Sequence, residues 1–282
     1  MSGSIVGDYL DSCMTPESLE KQKEWPRVNC CCTSRSLYCS ECYALLIPPN
    51  EWPTTFNRLP FHLHIILQDR RNAATGLHAK VLDESLDVDQ SNSHNHVQVF
   101  DLERLDPLPK SYPEHTYLLF PSEDSVPLES VRHQVHTLVV LDCKWTKSSS
   151  RQDPRLANLP RVHLTRPSTI SYYWRWHSAG PECLSTMEAI YEAACEVEPE
   201  GNWLPWLWLF GLQRAAAGGV SHEQKLQQQD KRRKKGTEKQ LRDKERGKAL
   251  SVQHKRDLES GKVAKQQRKP QWQIHLESER ET

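Results

Sequence analysis

The sequence predicts an α/β protein built on a mostly parallel sheet, and three observations carry that prediction. Several short apolar runs are continuous rather than alternating, as in strands covered on both faces. A clear helix signature, LSTMEAIYEAACEV, follows the last of them. One run, HTLVVLD, ends in an aspartate at Asp142. In open α/β sheets the ligand crevice lies beyond the carboxyl ends of the strands.

Taken in order, the first run is FHLHIIL (61–67), which partly alternates. HTYLLFP (115–121) and HTLVVLD (136–142) are more continuously apolar, and PRVHLT (160–165) is a weaker fourth strand. The polar stretch DVDQSNSHNH (87–96) reads as a surface loop. Ser185 and Glu188 form an S-x-x-E capping box, with Ile190, Ala193 and Ala194 as the apolar face behind it. WLPWLWLFGLQRAA reads as a closing helix beyond Pro205, too short to span a membrane and too rich in tryptophan to be exposed.

The chain has 282 residues, enough for one sizeable domain with attachments. Residues 1–24 are polar and expected to be poorly ordered. Residues 25–50 form a Cys-rich module, and 51–220 form the globular body. Residues 221–282 are expected to be a basic, largely disordered tail, poor in apolar side chains. Lys+Arg and Asp+Glu are both 37, so the formal net charge is zero. The balance hides an asymmetry, because 16 Lys/Arg face 5 Asp/Glu between Lys231 and Lys269. The start, MSGSIVGDYLDSCM, lacks a secretory signal's basic start and long apolar core. No stretch has the ~20 apolar residues of a membrane span. The nine cysteines are therefore expected as thiols or metal ligands in a reducing compartment.

Cys39 and Cys42 form a C-x-x-C pair, and Cys30, Cys31 and Cys32 sit in a row upstream. Four thiolates around one ion give a closed tetrahedral zinc site. The second pair has the standard spacing. The first pair is irregular: two of the three adjacent cysteines would bind, and Cys30 with Cys32 is one choice among the three possible pairs. The alternative is a set of thiols in a loop. The 13 histidines are scattered, and none forms an H-E-x-x-H site, which argues against a zinc hydrolase.

On position alone Asp142 could simply start a turn or cap a helix. The residues that follow add to this. DCKW leads into RLANLPRVHL and then SYYWRWHSAGPECLSTMEAIYEA. In this order the segments resemble the DTW-domain family, the tRNA-uridine aminocarboxypropyltransferases, named for an Asp-x-Thr-Trp motif. The resemblance covers roughly 29–217 and looks closest to the eukaryotic first of two subfamilies. LHAKVL (77–82) and HTYLLFPSEDSVPL (115–128) look like that family's earlier strand segments. Asp142 and Trp145 match the motif, while Lys144 stands where the family has threonine.

The resemblance implies a SPOUT-like knotted fold with S-adenosylmethionine bound at the carboxyl edge of the sheet. It also implies transfer of the 3-amino-3-carboxypropyl group to N3 of a uridine in tRNA, with 5′-methylthioadenosine released. The alternatives are a tRNA-binding member without turnover and an S-adenosylmethionine-dependent RNA methyltransferase. Asp142 is the expected base or orienter, and Lys144 the expected contact to the anionic base or the cofactor carboxylate. Trp145 is either core or a wall for adenine or uracil. Leu141 and Cys143, flanking Asp142, and Pro121 and Ser122, at another strand end, are expected to line the cofactor crevice. Ser185, Thr186 and Glu188 are first a helix cap, and the cofactor's methionine tail could also dock at that helix start. Tyr173, Trp174 and Arg175, within YYWRWH, interleave aromatics with a cation, as surfaces that stack unpaired bases do. Their alternative is core plus a surface arginine.

KRRKK at Lys231–Lys235 reads as an import signal for importin binding, as a phosphate anchor, or as a solvated charge run. The expected location is accordingly nucleus and/or cytoplasm. The oligomeric state is not legible.

Overall fold

The structure is a computed structural model. It describes residues 2–13, Glu17, Glu20, Lys21, Lys23, 37–86, 96–144, 154–167, 171–175, 183–218 and Arg242. The chain divides into two units, 1–222 and 223–282, and the fold below is that of the first.

In chain order the elements are α1 (Ser2–Ser12), β1 (His62–Leu67), α2 (Leu77–Leu86), β2 (Val97–Asp101), β3 (Thr116–Leu119), β4 (Val126–Pro127), α3 (Leu128–Val131), β5 (Thr137–Asp142), β6 (Arg161–His163), α4 (Thr186–Val197) and α5 (Trp208–Ala216). The strands form one six-stranded sheet of order β2-β1-β5-β3-β6-β4. Every pairing in it is parallel. All carboxyl ends therefore lie along one edge. β5 is central, with Leu67 of β1 beside Asp142 and Leu119 of β3 beside Val140.

The continuous apolar runs have the expected cause. Leu63, Ile65, Leu138, Val140 and Val162 face the main core with Leu82, Met187, Ile190 and Phe210. Ile66, Leu118 and Val139 point the other way, under Leu108 and Leu156 of the connecting loops. Both faces of the central strands are covered, so both phases of β3 and β5 are apolar. The closing segment begins as a 3₁₀ turn, Leu204–Leu207, and runs straight into α5.

Two expectations are corrected. LHAKVL is a helix, not a strand. Residues 77–82 are buried throughout, so this part of α2 shows no exposed face and its short apolar run carries no helical period. The N-terminal segment is not simply a loose polar end. Val6, Leu10 and Cys13 recur at helical spacing and join the main core. A Cβ on Gly211 would lie 3.1 Å from Leu10 and Cys13, so the glycine lets α1 and α5 pack closely. Arg214, buried in α5, donates to Asp11 at 3.1 Å. β2 and the two-residue β4 had no clear sequence signal. Residues 87–95 of the expected loop lie outside the described residues, as do 145–153 and 176–182, on which any threading depends. Among the described residues, no helix is long and apolar enough to cross a membrane.

Candidate active site at the carboxyl edge of the sheet

Asp142 ends β5 and is 6% exposed. Its Oδ2 accepts the Gly76 N–H at 2.6 Å, and the Thr186 hydroxyl also donates to it. Gly76 immediately precedes α2 and Thr186 opens α4, so one carboxylate joins a strand end to two helix starts. Helix N-termini favour an anion. Burial nevertheless dominates and pushes the carboxyl up to about 6, against the pull of Gly76 and Thr186; Asp69 adds a smaller rise. A Cβ at Gly76 would sit 2.7 Å from Oδ2, so the approach requires glycine.

Beside Asp142 lies a cavity of about 520 Å³, within the range of small-molecule sites. Leu119, Phe120 and Pro121 line it from the end of β3, Leu141 and Cys143 from β5, and His163 and Leu164 from β6. Pro167, Cys183, Leu184, Thr186 and Ala189 close it around the start of α4. Of the expected cofactor contacts, Pro121, Leu141, Cys143 and Thr186 meet here. Asp142 itself is not on the cavity wall.

Ser122, Ser185 and Glu188 are not on it either. The Ser122 hydroxyl donates to Asp124 at 2.7 Å. Glu188 is buried and its carboxylate is fully used within the fold. It accepts from Ser185 N at 2.8 Å, Ser185 Oγ at 2.7 Å, Ser171 Oγ at 2.9 Å and Tyr172 N. The capping box is complete. Two first-turn donors of α4 are also taken, Met187 N by Thr75 Oγ1 at 3.3 Å and Glu188 N by Ser185 Oγ at 3.4 Å. The helix start is thus a structural joint in which Met187 N and Glu188 N are already engaged within the fold.

The aromatic segment turns inward. Trp174 packs on Tyr173 and on Phe210 of α5, with ring centroids 5.2 Å apart in each pair. Arg175 donates to Asn72 O at 3.1 Å and Ala73 O at 3.3 Å. All three side chains are half-buried, an arrangement closer to core plus fastening arginine than to an open stacking platform. Lys144 is exposed at the strand end. Trp145 lies outside the described residues.

The C-x-x-C pair sits on a small hairpin. Tyr38 and Leu45 pair antiparallel, and Cys39 N donates to Ala44 O at 2.9 Å. The Glu41 N–H is aimed at Cys39 Sγ at 3.4 Å. Arg71 binds the hairpin to the body, donating to Ser40 O at 2.7 Å and Asp101 Oδ2 at 3.0 Å. Among the described residues, no group of three or more His, Cys, Asp or Glu could hold a metal ion. Cys30, Cys31 and Cys32 lie outside those residues, as do Lys231–Lys235.

Gly76, Thr75, His163 and Ser125 were missed in the sequence. Thr-Gly before a buried helix and His inside a three-residue strand carry no distinctive spacing. Their partners are 38 to 112 residues away.

A parallel α/β sheet with a mostly apolar cavity at its carboxyl edge, next to a central strand ending in a buried aspartate, defines a ligand-binding α/β protein of the open-sheet class. Within that class the chain belongs to the DTW-domain family, whose model matches residues 29–235. It is 36% identical over 112 residues to tRNA-uridine aminocarboxypropyltransferase 2 of Drosophila melanogaster, a match spanning 38% of this chain and 42% of that relative. The match thus spans less than half of the relative's length. Among solved structures it is similar to the SAM-dependent rRNA:acp-transferase Tsr3 from Vulcanisaeta distributa. That likeness has 23% identity and a TM-score of 0.32, over 58% of this chain and 87% of the other.

Proposed function

We propose that this protein transfers the 3-amino-3-carboxypropyl group of S-adenosylmethionine to N3 of a uridine in tRNA, with 5′-methylthioadenosine as the by-product. The observation that carries the reading is a cavity at the carboxyl edge of the sheet, beside the family's motif aspartate. The cavity fits the co-substrate in kind. Its leucine walls suit a purine face and its few polar groups suit orientation. S-adenosylmethionine supplies an activated leaving group at sulfur, so the chain's task is alignment. Asp142 serves that task by fixing two helix starts against β5, which holds the Thr186 side of the cavity in place. Lys144, exposed at the same edge, is assigned to the negative charge that develops on the uracil oxygens or to the cofactor carboxylate.

The reading takes in two further features. One is SPOUT-like threading of the segments after β5 and before α4. The other is a structural Zn²⁺ held by Cys39 and Cys42 with Cys30 and Cys32. A backbone N–H aimed at a cysteine sulfur, as at Cys39, favours the thiolate that zinc requires. The basic tail at Lys231–Lys235 is assigned to RNA phosphates or to an importin.

The test is to incubate the full chain with S-adenosylmethionine and unmodified tRNA and analyse nucleosides and small molecules by mass spectrometry. Aminocarboxypropyl-uridine with methylthioadenosine is expected. S-adenosylhomocysteine instead would mean methyl transfer. Bound tRNA with no product would mean a silent binding protein.

A further inference from the structure

The transfer requires uridine N3 to lose a proton, and the motif aspartate is poorly placed to take it. Asp142 is buried, holds Gly76 and Thr186, and does not line the cavity. His163 does line it, from the carboxyl end of β6.

The hydrogen bonds around Ser125 bear on which ring nitrogen of His163 carries the proton. A serine hydroxyl has one proton to give and two lone pairs to receive with. Ser125 Oγ donates its proton to Ser122 O at 2.7 Å. It accepts the Ser122 N–H at 3.1 Å. Its third contact is His163 Nδ1 at 2.9 Å. Placing the hydroxyl proton toward Ser122 O, the shorter of its two possible acceptor contacts, assigns the His163 contact to an Nδ1–H donating to Oγ. Nε2 is then an unprotonated acceptor. Ser125 is not on the cavity wall, whereas His163 is. The loop that holds Ser125 is itself tied down, because Asp124 Oδ1 accepts from the Ser122 hydroxyl at 2.7 Å and from Arg161 Nη1 at 3.2 Å. Arg161 lies two residues before His163 on β6, so strand, loop and ring form one closed assembly.

We propose that His163 Nε2 is the acceptor of the uridine N3 proton, with Ser125 as the positioning residue that keeps the ring in the Nδ1–H tautomer. The inference rests on the transferase reading above. The step balances. The N3–H bond breaks and its proton goes to Nε2. The N3 electron pair forms the bond to the γ-carbon of the aminocarboxypropyl group. The carbon–sulfur bond breaks and its pair stays on sulfur, which becomes the neutral thioether of methylthioadenosine. The positive charge that began on sulfur ends on the imidazole, which returns the proton to water. An apolar cavity favours such a reaction, because no net charge is created inside it.

Two measurements on the full chain test this. The first is the ¹⁵N imidazole spectrum of histidine-labelled wild-type protein, at a pH where the ring is neutral. The His163 signal is assigned by its loss in His163→Gln or its shift in Ser125→Ala. A protonated Nδ1 and bare Nε2 are expected, and the opposite tautomer overturns the proposal. This readout needs neither tRNA nor turnover, and it stands even if His163→Gln fails to fold. The second is single-turnover transfer at saturating S-adenosylmethionine and tRNA. His163→Gln is expected to slow it about 100-fold or more, with S-adenosylmethionine affinity within about threefold of wild type. An active wild type with a variant of near-equal rate overturns the role of His163 and leaves the transferase reading standing. A loss confined to S-adenosylmethionine affinity also overturns it and makes His163 a cofactor contact. A wild type that yields no aminocarboxypropyl-uridine overturns both.

Discussion

At Asp142 one side chain carries a large share of the site's architecture, and its energetics make a prediction with a definite sign. Burial raises the folded carboxyl to about 6 from the ordinary 3.8. The native state therefore holds the proton more tightly than the unfolded chain. The stability contributed by this group is full below about pH 3.8 and is lost as pH rises through about 6. The cost at neutral pH is roughly 3 kcal/mol. Asp142→Asn keeps an oxygen for the Gly76 N–H and removes the charge. In urea unfolding, the stability of Asp142→Asn relative to wild type should rise between pH 4 and pH 8, by up to about 3 kcal/mol. A difference that stays flat with pH would show that the carboxyl is not desolvated. Gly76→Ala probes the same contact from the other side. With a Cβ 2.7 Å from Oδ2, it should cost about 1–3 kcal/mol and weaken S-adenosylmethionine binding. Unchanged stability would mean the joint is looser than its geometry. The sequence placed Asp142 at a strand end correctly. It could not show that the carboxylate turns into the fold, because Gly76 and Thr186 lie 66 and 44 residues away.

Among the elements, legibility followed the environment of each. The strand runs at 61–67, 115–121 and 136–142 and the capping box at Ser185 were readable because their signals are local. α2 was not, because residues 77–82 are all buried and the exposed Glu84 comes only in the last turn, so LHAKVL carries no helical period. α1 was missed for the opposite reason. Among the described residues its buried apolar face is Val6, Leu10 and Cys13, with Tyr9 partly buried beside them, diluted by Asp8 and Asp11. Leu10 is nonetheless wholly buried, so Leu10→Ala should cost about 2–5 kcal/mol in urea unfolding. A cost under about 0.5 kcal/mol, the level of a surface change, would mean α1 does not dock. The helix also bears on the aromatic segment. Arg214, held by Asp11 at 3.1 Å, lies over the Tyr172 ring at 5.6 Å, and Tyr172 N is fastened to Glu188. An exposed stacking role for YYWRWH was a fair reading of composition. In the described part of the segment Trp174 packs on Phe210 and stays half-buried.

For the molecule as a whole, the fold class was legible and the strand order was not. Continuous apolar runs require cover on both faces, but β1-β5-β3 adjacency joins segments far apart in the chain, and no local signal specifies it. The same long-range wiring connects the cysteine hairpin to the active-site edge. Leu37, Tyr38 and Ile47 are part of the main core. Tyr38 meets His78 edge-on, with ring centroids 5.3 Å apart, and His78 lies two residues beyond Gly76. Arg71 ties Ser40 to Asp101 at the end of β2. A metal on this hairpin would therefore stiffen α2, and Gly76, immediately before it, holds Asp142. The expected outcome is about one zinc per chain in the purified protein, lost together with several degrees of Tm on chelation. Cys39→Ser should reproduce the loss, because Cys39 is the buried member of the pair and the one its own turn stabilises. S-adenosylmethionine affinity should weaken in parallel with Tm, since the hairpin and the aspartate share α2. Metal-free protein with wild-type stability would remove zinc from the account. Bound zinc whose removal lowers Tm but leaves affinity untouched would confine its role to the hairpin and break the proposed link to Asp142.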